Sequence, residues 1–394
     1  MSFAEPVKAR TVRADAPPRA LTTRFLDFWL LGGASVVVWA AMWSMEGLRS
    51  AWAVDQHFRN LAVTSLSLAL LVNYPHFLMS YKLAYGRGSA FVRVHWWQLL
   101  VVPVALVGLF VASYAYYDVP AESIGPLAAT AEFLRGYGVN AQVVVRPRLG
   151  EVLLTGAFHL MVFTIGWHYT KQVFGCMMVY AHFDGYPFSA SQRRLLRGAL
   201  FSIWGMSLVD FNLDGTWRAF GAFSYSSFDL PDVLGPLAQV AVAAGFLLVC
   251  YRVFYVNHRA TGQWPSLNLL VPFVAIYLWW MPLMRQEEFY FLLAPFFHSL
   301  QYLAFVFRVE DSRLRGGRRR EARATATIVF VLLAGWLAFE FVPTAVDDRL
   351  GTFDAWGLYF CFTAAMLFIN IHHYFIDNAL WRFRDPEVRR LLLD

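Results

Sequence analysis

Apolar stretches about as long as a bilayer is thick recur along this chain, at 26–45, 61–84, 97–117, 150–181, 195–211, 233–256, 266–284, 286–308, 325–343 and 354–380. A helix of about 20 such residues spans the hydrocarbon layer. Lipid offers no partner to a bare backbone amide, so each stretch must satisfy its own N–H and C=O groups as a helix. The chain is therefore expected to fold as an all-α, polytopic transmembrane helix bundle of about ten spans. Its composition excludes an ordinary soluble globule, with 58% hydrophobic and only 15% charged residues against roughly a quarter charged in soluble domains.

Charge placement sets the orientation. With the N-terminus on the cytoplasmic side, 24 of the 33 Lys and Arg residues fall on the inner side of the ten spans and 8 on the outer, with Lys171 inside a span. The positive-inside rule predicts that bias for an N-in/C-in bundle. The net charge of +6 thus points to the lipid bilayer and its anionic headgroups as partner, and not to nucleic acid. The run Arg318-Arg319-Arg320, with Arg313, Arg315 and Arg323, reads as a cytoplasmic anchor.

Residues 1–25 carry no apolar core of about 7–15 residues before a cleavage site and read as a disordered cytoplasmic tail. Residues 26–381 form the transmembrane helical domain and 382–394 a cytoplasmic C-terminal tail. Cys176, Cys250 and Cys361 all lie in apolar windows without a CxxC spacing, so they read as packing residues.

Histidine inside a bilayer is costly unless it is paired, liganded or wet. Four of the ten histidines, His57, His95, His182 and His258, fall at span ends or in loops. His76, His159, His168, His298, His372 and His373 lie inside spans 2, 4, 8 and 10, which all run in one direction. At the helical rise, His76 stands about 13 Å above the inner end of its span, His298 about 15 Å, His372 and His373 about 13–15 Å, and His168 about 19 Å. Four parallel helices so place imidazoles in one layer. His159 precedes His168 by nine residues and faces the opposite way; His168 is the one expected in the layer, with Lys171 and Gln172 on its side.

The neighbours of these histidines favour a built site over scattered core residues. His76 follows Asn73 and Pro75; His298 follows Pro295, with Tyr302 one turn on. His373 has Asn370 three residues before it and Asp377 four after it, so a carboxylate can accept its second N–H and select the tautomer that ligates. The expected metal ligands are His76, His168, His298 and either His372 or His373. Asp377, Asn370 and Asn73 would support them, and Tyr302 and Lys171 would hydrogen-bond oxygen or substrate. Neutral imidazoles suit iron, copper or zinc better than magnesium or calcium. Surroundings so rich in Phe, Trp and Tyr imply a hydrophobic, lipid-soluble small-molecule substrate.

Other polar positions read as structural. Asp210, Asn212 and Asp214 lack the Gly and distal Glu of a calcium loop, Glu287 and Glu288 suit a helix N-terminus, and the Gly-rich pieces at 86–88 and 316–317 lack a strand-to-helix setting. Glu340, inside the ninth window, reads as a residue near the outer membrane face.

The stretches Tyr74-Pro75-His76, Phe297-His298-Ser299 with Tyr302 and Arg308, and His372 to Asp377 before Arg382 resemble the bacterial Brp/Blh family of integral-membrane β-carotene dioxygenases, with His168 in the place of that family's middle histidine. The resemblance covers about 80 residues in four pieces. Where the family has a second histidine one turn after His-Ser, this chain has Tyr302, and it adds the His372-His373 pair. The resemblance implies a non-haem iron centre, dioxygen as co-substrate and a polyene-like lipid. Membrane desaturases and hydroxylases are a different case, since no two histidines here are four residues apart and their HxxxH and HxxHH boxes are absent.

The expected function is thus a membrane-embedded non-haem-metal oxygenase in a bacterial inner membrane, holding iron or another transition metal. With no flavin, ferredoxin or nucleotide module in the chain, any electron donor is external. Two alternatives use the same histidines: a haem-binding electron carrier, and a metal-free transporter or assembly protein with a histidine layer.

Overall fold

The computed structural model describes residues 19–46, 54–139, 148–215, 217–220, 223–279, 289–314, 320–350 and 359–393. The fold is all-α apart from one antiparallel hairpin, Trp217–Phe220 with Phe223–Ser226. Each of the ten apolar windows contains a helix. Among the described residues five helices are long and apolar enough to cross a bilayer: Arg24–Ala41, Trp97–Ala115, Leu149–Asp184, Leu234–Thr261 and Glu321–Leu350. Only 22% of the apolar window in Leu234–Thr261 and 17% of that in Glu321–Leu350 is buried. Side chains such as Leu247 and Phe330 therefore face outward, the arrangement of a membrane protein, whose solvent is lipid.

Four helices form the centre: α1 (Val54–Tyr85), α2 (Leu149–Asp184), α3 (Phe289–Leu314) and α4 (Phe360–Leu380). Three of these, α1, α3 and α4, are outside the five. Helix α1 packs on α3 and α4, and α4 also packs on α2. The remaining helices enclose them. Arg320–Trp336 lies on α1, the Trp97–Ala115 segment on α2 and α4, and Leu267–Trp279 on α2. Gly335 permits the first of these contacts, since a Cβ there would stand 2.8 Å from the Tyr74 Cβ.

Local chemistry sets the helix ends and bends. At 36 residues, α2 is about 54 Å long and outreaches the hydrocarbon layer. It stops at Gly185, whose left-handed conformation (φ 64°) lets Tyr186 N–H bond back to Ala181 C=O at 2.9 Å. Buried Asp347 accepts from the Cys361 and Phe362 amides at 2.7 and 2.9 Å and so caps the start of α4. Pro75 in α1 and Pro295 in α3 each remove one helical hydrogen bond close to a histidine. Asn212 accepts from Phe228 N–H at 3.2 Å and anchors the hairpin loop, a structural use of the Asp210–Asp214 stretch.

The chain ends are more ordered than a sequence of tails implies. Asp27 is fully buried and accepts from Leu21 N–H, Thr22 N–H and the Tyr180 hydroxyl, which ties 19–25 to α2. Residues 386–393 form a helix that buries Val388, Leu391, Leu392 and Leu393, against α3 among others. Residues 1–18, Glu287, Glu288, Arg315, Arg318, Arg319 and the Gly316-Gly317 pair lie outside the described residues.

Arg87 holds this last helix in place: its guanidinium meets Asp385 at 2.7 Å and Glu387 at 2.5 Å and lies over the Phe91 ring. Burial pushes the Asp385 carboxyl up, but Arg87's hydrogen bond and charge, with the Glu387 N–H, outweigh it and hold Asp385 below the usual carboxylate range. A depressed folded-state value means that this contribution is present above the unfolded value of about 3.9 and is lost as pH falls through the folded one. Arg87→Ala is expected to cost about 1–3 kcal/mol and to expose 386–393 to limited proteolysis at neutral pH. The wild-type chain is expected to release the same segment only in acid.

Candidate metal centre

Four helices deliver one imidazole each to a single point. A ring nitrogen from each of His76, His168, His298 and His373 lies within 4.8 Å of one from each of the others, and all four residues are buried. Donors about 2.1 Å from a shared ion stand about 3.0 Å apart at right angles and about 4.2 Å apart across it. The 3.0 Å separation of His168 Nε2 and His298 Nε2 and the 4.8 Å outer limit bracket that range, so the donor set fits one transition-metal ion with small side-chain rotations. The fit also answers an accounting problem. His76 Nε2 and His373 Nε2 are buried with no hydrogen-bond partner, a costly state for polar atoms away from water.

Aromatic rings and two serines hold the imidazoles. Tyr169 stacks on His298 at 4.1 Å, Tyr374 lies 4.7 Å from His168, and Tyr302 lies 4.4 Å from His76. Ser299 Oγ sits 2.8 Å from His76 Nδ1, and Ser80 Oγ 2.8 Å from His373 Nδ1. Each serine thus serves a histidine on another helix. Gln172 donates to the His298 carbonyl at 2.9 Å and to Gln301 at 3.1 Å.

One hydrogen-bond chain sets a tautomer. Tyr302 Oη donates to Asp377 Oδ1 at 3.1 Å, so it accepts from Ser80 Oγ at 2.7 Å. Ser80, having spent its proton, must accept from His373 Nδ1–H. The Nε2 lone pair of His373 is then free to ligate. Asp377 therefore selects the tautomer expected from the sequence, but through Tyr302 and Ser80 and not by a direct bond.

The other sequence candidates separate cleanly. His372, adjacent to His373 but a hundred degrees round the helix, is outside the group: Tyr81 Oη lies 2.8 Å from its Nδ1, and its Nε2 meets the Gln98 carbonyl at 3.2 Å. His159 is bound to the Thr155 carbonyl at 2.8 Å among Phe158, Phe211 and Phe228, nine residues and half a rotation from His168. Lys171 is exposed, bonded to Asn378 and set over the Trp167 ring 4.5 Å away, so Gln172 and not Lys171 is the inward neighbour of His168. Asn370 donates to the Met366 carbonyl and accepts from Tyr374, bracing the ring that covers His168. Asn73 Oδ1 is buried without a hydrogen-bond partner among the described residues, so it supports none of the four imidazoles by a hydrogen bond through that atom. Glu340 accepts from Tyr74 at 3.3 Å. Ser80 is the residue that sequence reasoning missed, although its place one turn after His76 puts it on the same face.

The four rings are packed at the scale of a single ion. His76 packs 4.3 Å from His373 and 5.1 Å from His298, and His168 packs 4.7 Å from His298, ring centre to ring centre. A macrocycle between any two would have to part all four.

No family model, curated protein or solved structure matches this chain. The site therefore rests on its own geometry. His373→Ala is expected to reduce bound transition metal by 90% or more, roughly the effect of losing a direct ligand and above the 10–100-fold affinity losses of outer partners. His372→Ala is expected to keep the wild-type metal content, checked by elemental analysis of the purified full chain.

Proposed function

We propose that this chain is a membrane-embedded non-haem-metal oxygenase acting on a lipid-soluble substrate. The observation that supports this most is the convergence of four buried imidazoles, with His76 Nε2 and His373 Nε2 left without a hydrogen-bond partner. His76, His168, His298 and His373 would hold the ion, and the resemblance to the Brp/Blh dioxygenases favours iron. The chemistry iron would supply there is activation of dioxygen toward a carbon–carbon double bond or an unactivated C–H.

The chain's own groups do the rest. Ser80 and Ser299 hold His373 and His76 in fixed orientations. Tyr302, fully buried between His76 and Asp377, is the residue assigned to hydrogen-bond an oxygen-bearing group at the centre; Lys171 is not given that role. Phe77 stacks on His76 at 5.0 Å and stands 5.2 Å from His373. Together with Tyr74, Phe339 and Ile369 it makes an apolar cluster beside two ligands, a wall against which a hydrocarbon chain would lie and from which water is excluded. Ten spans with both termini cytoplasmic, in a bacterial inner membrane, would bring the substrate in from lipid and leave the electron donor to a soluble or membrane partner.

The test is metal content and oxygen uptake on the full chain purified in detergent. About one transition-metal ion per chain, lost in His298→Ala, and dioxygen consumption on addition of a polyene lipid are the expected results. Near-zero metal in both wild type and variant would overturn the metal reading. Bound metal with no oxygen uptake across polyenes and saturated lipids would overturn the oxygenase reading.

A further inference from the structure

One buried contact has the spacing of two donors on a shared ion. Asp377 is 5% exposed, and its two oxygens have different surroundings. Oδ1 accepts from Tyr302. Oδ2 has no hydrogen-bond partner, yet it lies 3.5 Å from His373 Nε2 and 3.7 Å from His168 Nε2. These separations are too long for hydrogen bonds. They are the separations of neighbouring donors about 2.1 Å from a shared ion, which stand about 3.0–3.6 Å apart at angles of 90–120°.

The tautomer argument sharpens the point. The chain from Asp377 through Tyr302 and Ser80 places the His373 proton on Nδ1 and leaves a lone pair on Nε2. That lone pair looks at a carboxylate oxygen. Two electron-rich atoms buried face to face repel one another, and no donor lies between them. Lys171 makes no direct ion pair with Asp377: its ammonium is bonded to Asn378 at the exposed side of the helix. An ionised carboxylate within an apolar bundle requires a positive partner. The two separations place that partner beside His168 and His373.

We propose that Asp377 is itself a ligand, its Oδ2 joining His76, His168, His298 and His373 to give a four-histidine, one-carboxylate centre. This rests on the four-histidine reading above and changes its chemistry. One carboxylate lowers the charge that a divalent ion brings into the apolar bundle from two to one, and its oxygen favours harder first-row ions over soft copper(I). Five donors from the chain leave a six-coordinate ion one position for an exogenous molecule. Tyr302, bonded to the other oxygen of the same carboxylate, becomes a positioning residue for that ligand as well as for His373.

The test is infrared difference spectroscopy on the full chain in detergent, metal-free against cobalt(II)-loaded, with aspartate carboxyls labelled with carbon-13. The wild-type chain is expected to bind one cobalt ion and to show an isotope-sensitive aspartate carboxylate band that shifts on loading. Asp377→Asn is expected to lose that band and to bind cobalt at least 100-fold more weakly, whereas Tyr302→Phe keeps the band and loses about tenfold, as an outer partner does. If Asp377→Asn fails to fold, Asp377→Glu with labelled glutamate carboxyls is expected to transfer the shift to a glutamate band. One bound cobalt without any responding aspartate band overturns the proposal and leaves the four-histidine centre standing. Absence of cobalt binding in a folded wild-type chain overturns both.

Discussion

Buried imidazoles have to dispose of two nitrogens each, and in an apolar helix bundle no water is at hand to take them. That constraint organises the centre of this protein. Serines meet His76 Nδ1 and His373 Nδ1, His168 and His298 meet each other, and His372 spends both nitrogens on Tyr81 and a backbone carbonyl. His76 Nε2 and His373 Nε2 are left over, and they belong to rings that converge with those of His168 and His298. A purely structural histidine resembles His372, fully used by its neighbours; the four central ones are held from behind and left open in front.

The scaffold makes that convergence possible by taking its supports from different helices. Ser80 on α1 orients His373 on α4, Ser299 on α3 orients His76 on α1, and Gln172 on α2 bonds the carbonyl of His298 on α3. Each histidine helix is thus braced by a neighbour, and displacement of any one disturbs at least one other ligand. Prolines at positions 75 and 295 each remove a helical hydrogen bond from α1 and α3 close to the layer, and the aromatic rings of Tyr169, Tyr302 and Tyr374 pack against the imidazoles. Packing and polar satisfaction here are one problem, since the rings that fill the core also carry the hydroxyls that set proton positions.

Much of this was legible in the chain because hydrocarbon leaves so few choices. The helices were readable from the apolar windows, and His76, His168 and His298 from the cost of placing imidazole in them. Nine residues of helix put His159 on the wrong face, and it is on the wrong face. Adjacent His372 and His373 could not be separated by depth, because they differ by a single residue of rise; their difference is one of rotation against helices that the sequence does not order. Lys171 and Gln172 posed the same difficulty, and the inward one is Gln172. Ser80 went unremarked because serine is cheap in a membrane helix, where its ordinary partner is its own i−4 carbonyl, here the His76 C=O 3.2 Å away. The last helix, 386–393, reads as a polar tail in isolation, and only its leucines against α3 and Arg87 against its carboxylates reveal it as docked.

The sequence by itself determined that the chain is helical, apolar on its outside and burdened with imidazoles at a common depth, because spacing along a helix fixes height and relative facing within one element. Tertiary structure alone decided which histidine of the adjacent pair enters the centre, which tautomer it takes and where the carboxylate of Asp377 faces. Those are properties of angles between helices, and the rotation of one helix against another is set by side-chain packing among residues hundreds of positions apart.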